Sequence, residues 1–121
     1  NSWPLMGSNY FPDDNKYLSL FKLSAFSDPS LVQFMHRNLA YIILIFYMII
    51  IVKIYSKKLI NLYFSINLLG LLLFLQIILG IFTLLYGAQI YLASMHQLSS
   101  IFLVSASVYF LYLNSNQRLS S

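Results

Sequence analysis

The chain has 121 residues, of which 60% are hydrophobic, and only ten are charged: seven Lys or Arg and three Asp. A soluble domain of this size would carry about 30 charged residues. From residue 59 to residue 117 no charged residue occurs, a stretch of 59 residues that at about 20 residues per span could cross a bilayer twice. The composition excludes a water-soluble fold and predicts an all-α integral membrane protein in contact with lipid.

Three further features of the sequence narrow the range of possible functions. The net charge of +4 comes from scattered basic residues, which in a membrane protein mark topology rather than a nucleic-acid partner. The sequence contains no cysteine, which excludes disulfides, thiolate nucleophiles and iron–sulfur clusters. It contains no glutamate and no Ser-His-Asp arrangement with a plausible acid, so the sequence offers no candidate catalytic residues for hydrolysis. The two histidines remain as candidate metal ligands.

Residues 1–30 have the composition of a loop. They hold all three prolines, all three acidic residues and several turn formers, and nothing in them resembles a signal peptide. We interpret them as an extramembrane loop of a fragment that begins within that loop. Within it, the apolar stretch from Tyr17 to Phe26 suits a segment lying on the membrane surface or packing on the ends of the helices.

Residues 31–121 are predicted to form the membrane part, with three helices at about 31–55, 62–85 and 90–113. Asp28 can cap the first helix by accepting a hydrogen bond from a free backbone N–H, and Pro29 suits the first helical position. Gly87 can end the second helix. Because the links are short, neighbouring helices are antiparallel, and the first and third helices run in the same direction.

The basic residues predict an orientation. Four of them lie on one face of the membrane: Lys53, Lys57, Lys58 and Arg118. By the positive-inside rule this face is cytoplasmic or matrix, and the loop of residues 1–30 faces the periplasm or intermembrane space. The excess of basic residues on that face is modest, because the opposite side carries Lys16, Lys22 and Arg37.

The two histidines are predicted to lie at the same depth. His36 is eight residues past its cap, and His96 is about seven residues into a helix that runs in the same direction. Two imidazoles on neighbouring helices could clamp a haem through its iron. Each histidine could instead hydrogen-bond across a helix interface. Their matched depth favours the haem interpretation.

Several polar residues could complete such a site. Arg37 could pair with a haem propionate or extend to lipid headgroups. Gln33 and Gln97 could hydrogen-bond near the histidines, as could Asn38. Small and polar residues form a stripe along one face of the second helix: Gln76, Gly80, Thr83 and Gly87. Such a stripe predicts either a helix-packing surface or the back wall of a cofactor pocket.

Four motifs suggest a family. Read in chain order they are NSWPLM at residues 1–6, DPSLVQFMHR at residues 28–37, LQIILGIFTLLY at residues 75–86 and LASMHQ at residues 92–97. In order and spacing they resemble the C-terminal half of haem A synthase, and the mitochondrial and alphaproteobacterial branch in particular. The resemblance covers nearly the whole chain.

The resemblance implies more than the composition does. That family has eight membrane helices in two four-helix halves, and this chain would supply an outer loop and three helices of one haem-binding bundle. His36 and His96 would be the axial ligands of a haem b iron, with Arg37, Gln33 and Gln97 around it. Haem O and the catalytic residues would belong to the other half.

The resemblance also implies an activity and partners. The family oxidises a methyl group of haem O to the formyl group of haem A for cytochrome c oxidase, in the mitochondrial inner membrane or the bacterial plasma membrane. The implied partners are haem O synthase, a ferredoxin-type electron donor and further copies of the same protein. Two alternatives remain open: a non-catalytic cytochrome b-type electron carrier or anchor with the same two ligands, and a cofactor-free assembly subunit.

Overall fold

The computed structural model describes residues 3–6, 8–12 and 16–120. Three long helices contain 28, 23 and 31 residues. At 1.5 Å per residue they are about 42, 35 and 47 Å long, and each exceeds the roughly 30 Å hydrocarbon core of a bilayer. All three are apolar enough to cross a membrane, which confirms the predicted all-α membrane class. Their bounds are Pro29–Ser56 for α1, Tyr63–Leu85 for α2 and Ile90–Ser120 for α3.

The first helix begins where the sequence predicted. The Asp28 side chain accepts hydrogen bonds from the backbone N–H groups of Ser30 and Leu31, at 2.9 and 3.3 Å, and Pro29 is the first helical residue. This arrangement satisfies two of the free donors at the start of α1. The cap fixes the register of α1, and with it the depth of His36.

Helices α1 and α2 both end in the same type of reversal. After α2, the N–H of Ala88 donates to the carbonyl of Thr83 at 2.7 Å, and Gly87 takes a left-handed conformation with φ 71°. After α1, Lys58 takes the left-handed position with φ 51°. These are Schellman-type ends, which glycine normally favours. Short reversals of this kind make neighbouring helices antiparallel.

Two boundaries differ from the prediction. Helix α3 continues to Ser120 instead of ending near residue 113, because the polar residues 114–118 extend the helix beyond its apolar part, whereas the prediction followed hydrophobicity. The predicted loop of residues 1–30 contains two short 3₁₀ helices, Tyr17–Phe21 and Leu23–Ser27, and its last two residues belong to α1. Parts of that predicted loop lie outside the described residues: Asn1, Ser2, Gly7 and Asp13 to Asn15.

The three helices converge at one end of the molecule, which we call the lysine end because Lys53, Lys57 and Lys58 lie there. Helix α2 packs closely along α3 and contacts α1 less. At the lysine end a short 3₁₀ helix, Ile60–Leu62, joins α1 to α2. Side chains from all three long helices meet there in one apolar cluster built on Ile54, Leu62, Ile66 and their neighbours Tyr47, Ile51, Leu59, Tyr63, Phe110 and Leu113.

The opposite end, which we call the loop end, is where α1 and α3 begin. Here the N-terminal segment, of which residues 3–6 and 8–12 are described, contacts α1 through Pro4, Tyr10 and Phe11. Phe11 is buried against Leu31, and the rings of Tyr10 and Phe11 lie edge-on to Phe34, with centroids 5.5 and 5.0 Å away. This packing ties the N-terminal segment to the first turns of α1, close to the level of His36.

Many large apolar side chains are exposed on the helices. On α1 alone more than half of the surface of several of them is exposed, as for Ile45, Phe46, Met48 and Val52. In a bilayer this surface meets lipid tails, which are as apolar as the side chains. The exposure is therefore consistent with the membrane class.

Candidate functional site

The rings of His36 and His96 meet between α1 and α3. His36 is the eighth residue of α1, and His96 is the seventh residue of α3. Their ring centroids are 6.2 Å apart, and their planes are inclined at 84°. The two histidines therefore lie at one depth and face a common space at the loop end.

This spacing fits two ligands on opposite sides of one metal. An imidazole nitrogen binds a first-row metal at about 2 Å, and the ring centre lies about 1 Å behind it, so a facing pair has centres roughly 6 Å apart. Each ring can rotate about its own bond to the metal, so near-perpendicular planes are allowed. The geometry suits a pair of axial ligands.

The other potential ligands are too few for a bare metal ion. Within residues 3–6, 8–12 and 16–120, no three His, Asp or Glu side chains form a group that could hold one. A haem iron needs only axial ligands from the protein, because the porphyrin supplies the rest. Two histidines would match the number of axial ligands that a haem iron takes from a protein.

Helix α2 forms a wall against the His96 ring. A Cβ atom added at Gly80 would lie 3.0 Å from Cε1 of His96 and 3.5 Å from its Nδ1, so the imidazole occupies the space that the missing side chain leaves. The sequence predicted that the stripe containing Gly80 was either a packing surface or a pocket wall. At Gly80 it is a wall for a candidate ligand.

Three polar atoms around this wall are buried without a hydrogen-bond partner among the described residues. They are Nδ1 of His96, Oε1 of Gln76 and Oγ of Ser99. The rest of the predicted stripe behaves differently: the Thr83 hydroxyl donates to the carbonyl of Leu79 at 2.7 Å, and Gly87 lies in the turn after α2. The unpaired polar groups are thus concentrated at His96.

Arg37 is buried, with only 6% of its surface exposed. One terminal nitrogen, Nη1, donates to the carbonyl of Pro4, while Nη2 is buried with no partner among the described residues. The side chain is therefore covered by the N-terminal segment and does not extend to lipid headgroups. A buried guanidinium with a free donor is costly unless an anion completes it, and a carboxylate matches its geometry best.

The other predicted polar residues lie farther from the histidine rings or have other partners. Gln33 is half-buried on α1, one turn before Arg37. Gln97 is exposed, because successive helical residues point about 100° apart and its side chain leaves the direction of His96. Asn38 donates to the carbonyl of Phe34 at 2.8 Å and accepts from the Tyr10 hydroxyl at 2.5 Å. The structure gives Asn38 a role in holding the N-terminal segment.

The contacts from Pro4 and Tyr10 were not predicted from the sequence. Both join residues about thirty positions apart, Pro4 to Arg37 and Tyr10 to Asn38. No local pattern signals such pairs. The nearest signal in the sequence was the number of aromatic residues in the loop that precedes Arg37.

Three helices able to cross a membrane, and two histidines whose rings meet between the first and the third, define an integral membrane protein with a candidate pair of metal ligands. The chain matches the family model described as cytochrome oxidase assembly protein over residues 1–108, and it belongs to that family. This confirms the resemblance found from the motifs.

The curated relatives are named heme A synthase. The protein from Pelagibacter ubique is 44% identical over 120 residues, which cover 96% of this chain and 34% of the relative. The Rickettsia prowazekii protein is 36% identical over 120 residues, covering 95% of this chain and 35% of the relative. The Roseobacter denitrificans protein is 36% identical over 95 residues, 78% of this chain and 25% of the relative. The chain thus spans between a quarter and about a third of the length of these relatives. No solved structure gives a significant match.

Proposed function

We propose that this chain is the haem b-binding part of a haem A synthase, with His36 and His96 as the two axial ligands. The observation that carries the proposal is the meeting of the two rings, 6.2 Å apart at one depth between α1 and α3. Membership of the cytochrome oxidase assembly family and the names of the relatives support it. A haem b held by two imidazoles supplies one-electron transfer.

The residues of this chain position such a group in distinct ways. The wall at Gly80 limits the movement of the His96 ring. The free Nη2 of Arg37 is a donor for a propionate, while Pro4 fixes the other end of the guanidinium. Gln33 lies on α1 one turn before Arg37, whereas the exposed Gln97 would need to change its orientation to reach the haem. Tyr10 and Phe11 of the N-terminal segment pack on Phe34 and so hold that segment against the first turns of α1.

The wider role rests on the whole protein. We infer that it converts haem O to haem A by oxidising a methyl group, with haem O bound outside this chain and the catalytic residues also outside it. In the completed bundle a fourth helix joins α1, α2 and α3. Haem O synthase supplies the substrate, a ferredoxin-type protein supplies electrons, and copies of the protein associate in the membrane.

The orientation follows from the basic residues. Lys53, Lys57, Lys58 and Arg118 place the lysine end in the cytoplasm or matrix. The loop end with the histidines then lies toward the periplasm or the intermembrane space. The membrane is the plasma membrane of a bacterium, since the relatives are bacterial proteins, or the mitochondrial inner membrane.

Haem analysis of the natural protein that carries this chain tests the proposal. We expect a pyridine-haemochrome spectrum with haem b together with haem O or haem A. His36→Ala and His96→Ala each remove the haem b. The matched controls Leu39→Ala and Met95→Ala, which change exposed neighbours on the same helices, keep it.

Three outcomes would decide against the proposal. Haem b retained in either histidine variant would exclude that residue as a ligand. Haem b alone, with no haem O or haem A, would favour the cytochrome b-type carrier. A protein without haem would favour the assembly subunit.

A further inference from the structure

The three unpaired polar atoms near His96 complement one another chemically. When Nε2 of a histidine binds a metal, Nδ1 carries a proton and needs an acceptor. The amide oxygen of Gln76 is an acceptor with two lone pairs, and the hydroxyl of Ser99 is a donor. All three atoms are buried without partners among the described residues, which is a costly arrangement unless they serve one another.

Their positions place them around one ring. Ser99 follows His96 by three residues on α3, so the two share a helix face, and Ser99 is only 6% exposed. Gln76 precedes Gly80 by four residues on α2, so it lies one turn from the wall that the His96 ring touches. The backbone of Gln76 also lies within hydrogen-bonding reach of the imidazole, so it competes with Oε1 as a partner of His96. In the structure these atoms are not hydrogen-bonded to one another, so joining them requires a rotation of the amide or a buried water between them.

We infer that Gln76 is a positioning residue. Its Oε1 accepts one hydrogen bond from the Nδ1–H group of His96 and a second from the Ser99 hydroxyl. This leaves Nε2 of His96 as the nitrogen directed to the haem iron. The inference rests on the proposed haem b site and adds to it the group that fixes the His96 tautomer. An acceptor on Nδ1 makes the imidazole more basic. A more basic ligand stabilises ferric iron over ferrous iron, so Gln76 lowers the reduction potential of the haem.

The test uses the haem-loaded natural protein and a redox titration of the haem b. Gln76→Met keeps the length of the side chain but removes the acceptor, and we expect a higher potential with the haem b content retained. Gln76→Glu keeps an acceptor oxygen, and its potential stays at or below that of the natural protein. Ser99→Ala removes the second bond and gives a smaller upward shift than Gln76→Met.

Thr83→Val is the matched control, because Thr83 lies on the same face of α2 and its hydroxyl is already bonded within the helix. We expect no shift of the potential in this variant. The electron paramagnetic resonance signal of the ferric haem provides a second readout, and it changes in Gln76→Met but not in Thr83→Val.

The result separates this inference from the proposed function. If His96→Ala loses haem b but Gln76→Met leaves the potential and the resonance signal unchanged, the inference is overturned and the backbone carbonyl at position 76, which every variant keeps, is the acceptor. An equal shift in Thr83→Val would also overturn it, because the effect would then be one of packing. If His96→Ala keeps haem b, the proposed site itself fails.

Discussion

The two ends of the helix group are built on different principles. At the lysine end an apolar cluster joins all three helices, and several polar side chains there have partners within the chain. Tyr55 and Asn67 hydrogen-bond to each other at 2.8 to 3.0 Å, and the Tyr47 hydroxyl donates to the carbonyl of Ile66 at 3.1 Å. Contacts within the chain nearly complete this end.

At the loop end several buried polar groups have no partner within the chain. Among the described residues, five buried side-chain atoms have none, and four of them lie in this half: on Arg37, Gln76, His96 and Ser99. The fifth is the hydroxyl of Ser65 at the lysine end. Native structures pair nearly all buried polar groups, so the proposed haem site is consistent with this concentration at one end. The lysine end is joined mainly by packing, and the loop end holds most of the unpaired buried polar atoms.

The largest expected effect is at Arg37. Arg37→Met removes the donors offered to a haem propionate, and a hydrogen bond to a charged group contributes about 1.5–3 kcal/mol. We therefore expect haem b affinity to fall at least about tenfold, since 1.4 kcal/mol is a factor of ten. Transfer of haem to excess apomyoglobin measures this. Lys53→Met, at the lysine end, is the control and leaves the transfer rate unchanged. Equal haem transfer rates in the two variants would show that Arg37 does not contribute to haem binding.

Substitution of two glycines on α2, one toward each end of the molecule, should separate effects on stability from effects on the haem. An added Cβ would lie 2.0 Å from the Tyr47 hydroxyl at Gly70, but 3.0 Å from His96 at Gly80. Gly70→Ala should lower the free energy of unfolding by about 1–3 kcal/mol without altering the haem spectrum of the folded protein. Gly80→Ala should cost less stability and change the spectrum and the reduction potential. Thermal unfolding in detergent and haem spectroscopy measure the two effects.

The opposite pattern would contradict the comparison of the ends. If Gly70→Ala changed the haem spectrum as much as Gly80→Ala, the lysine end would not be independent of the site. If neither variant changed it, the wall at Gly80 would not act on the ligand.

The smallest effect is expected at Tyr10. Tyr10→Phe removes the hydroxyl that donates to Asn38 and keeps the ring contact with Phe34. Because the bond is exposed, we expect a loss near the low end of the usual range, about 0.5 kcal/mol. Amide hydrogen exchange should quicken by roughly twofold in residues 3–12 and stay unchanged at the lysine end. A uniform increase along the chain would show that the segment has no local role.

The sequence predicted the features that depend on local physics. The charge-free stretch predicted membrane helices, Asp28 and Pro29 predicted the start of α1, and the equal depth of the two histidines followed from counting residues along parallel helices. The extension of α3 to Ser120 was missed, because hydropathy marks where the membrane ends and not where the helix ends.

Contacts between distant parts of the chain were beyond such reasoning. The sequence singled out Arg37 but could not place Pro4 against it, and it left two uses open for Gly80. Gln97, adjacent to His96 in sequence, is exposed, whereas Gln76, twenty residues away, is next to the His96 ring. On a helix, proximity in sequence does not predict which side chains contact each other, because adjacent residues point in different directions.

The central claim is that His36 and His96 bind one haem iron from opposite sides. Near-infrared magnetic circular dichroism of the ferric haem b identifies its axial ligands. For the natural protein we predict two imidazoles, and for His36→Met and His96→Met one imidazole with one thioether, or one imidazole alone. A bis-imidazole spectrum that persists in either variant would contradict the claim.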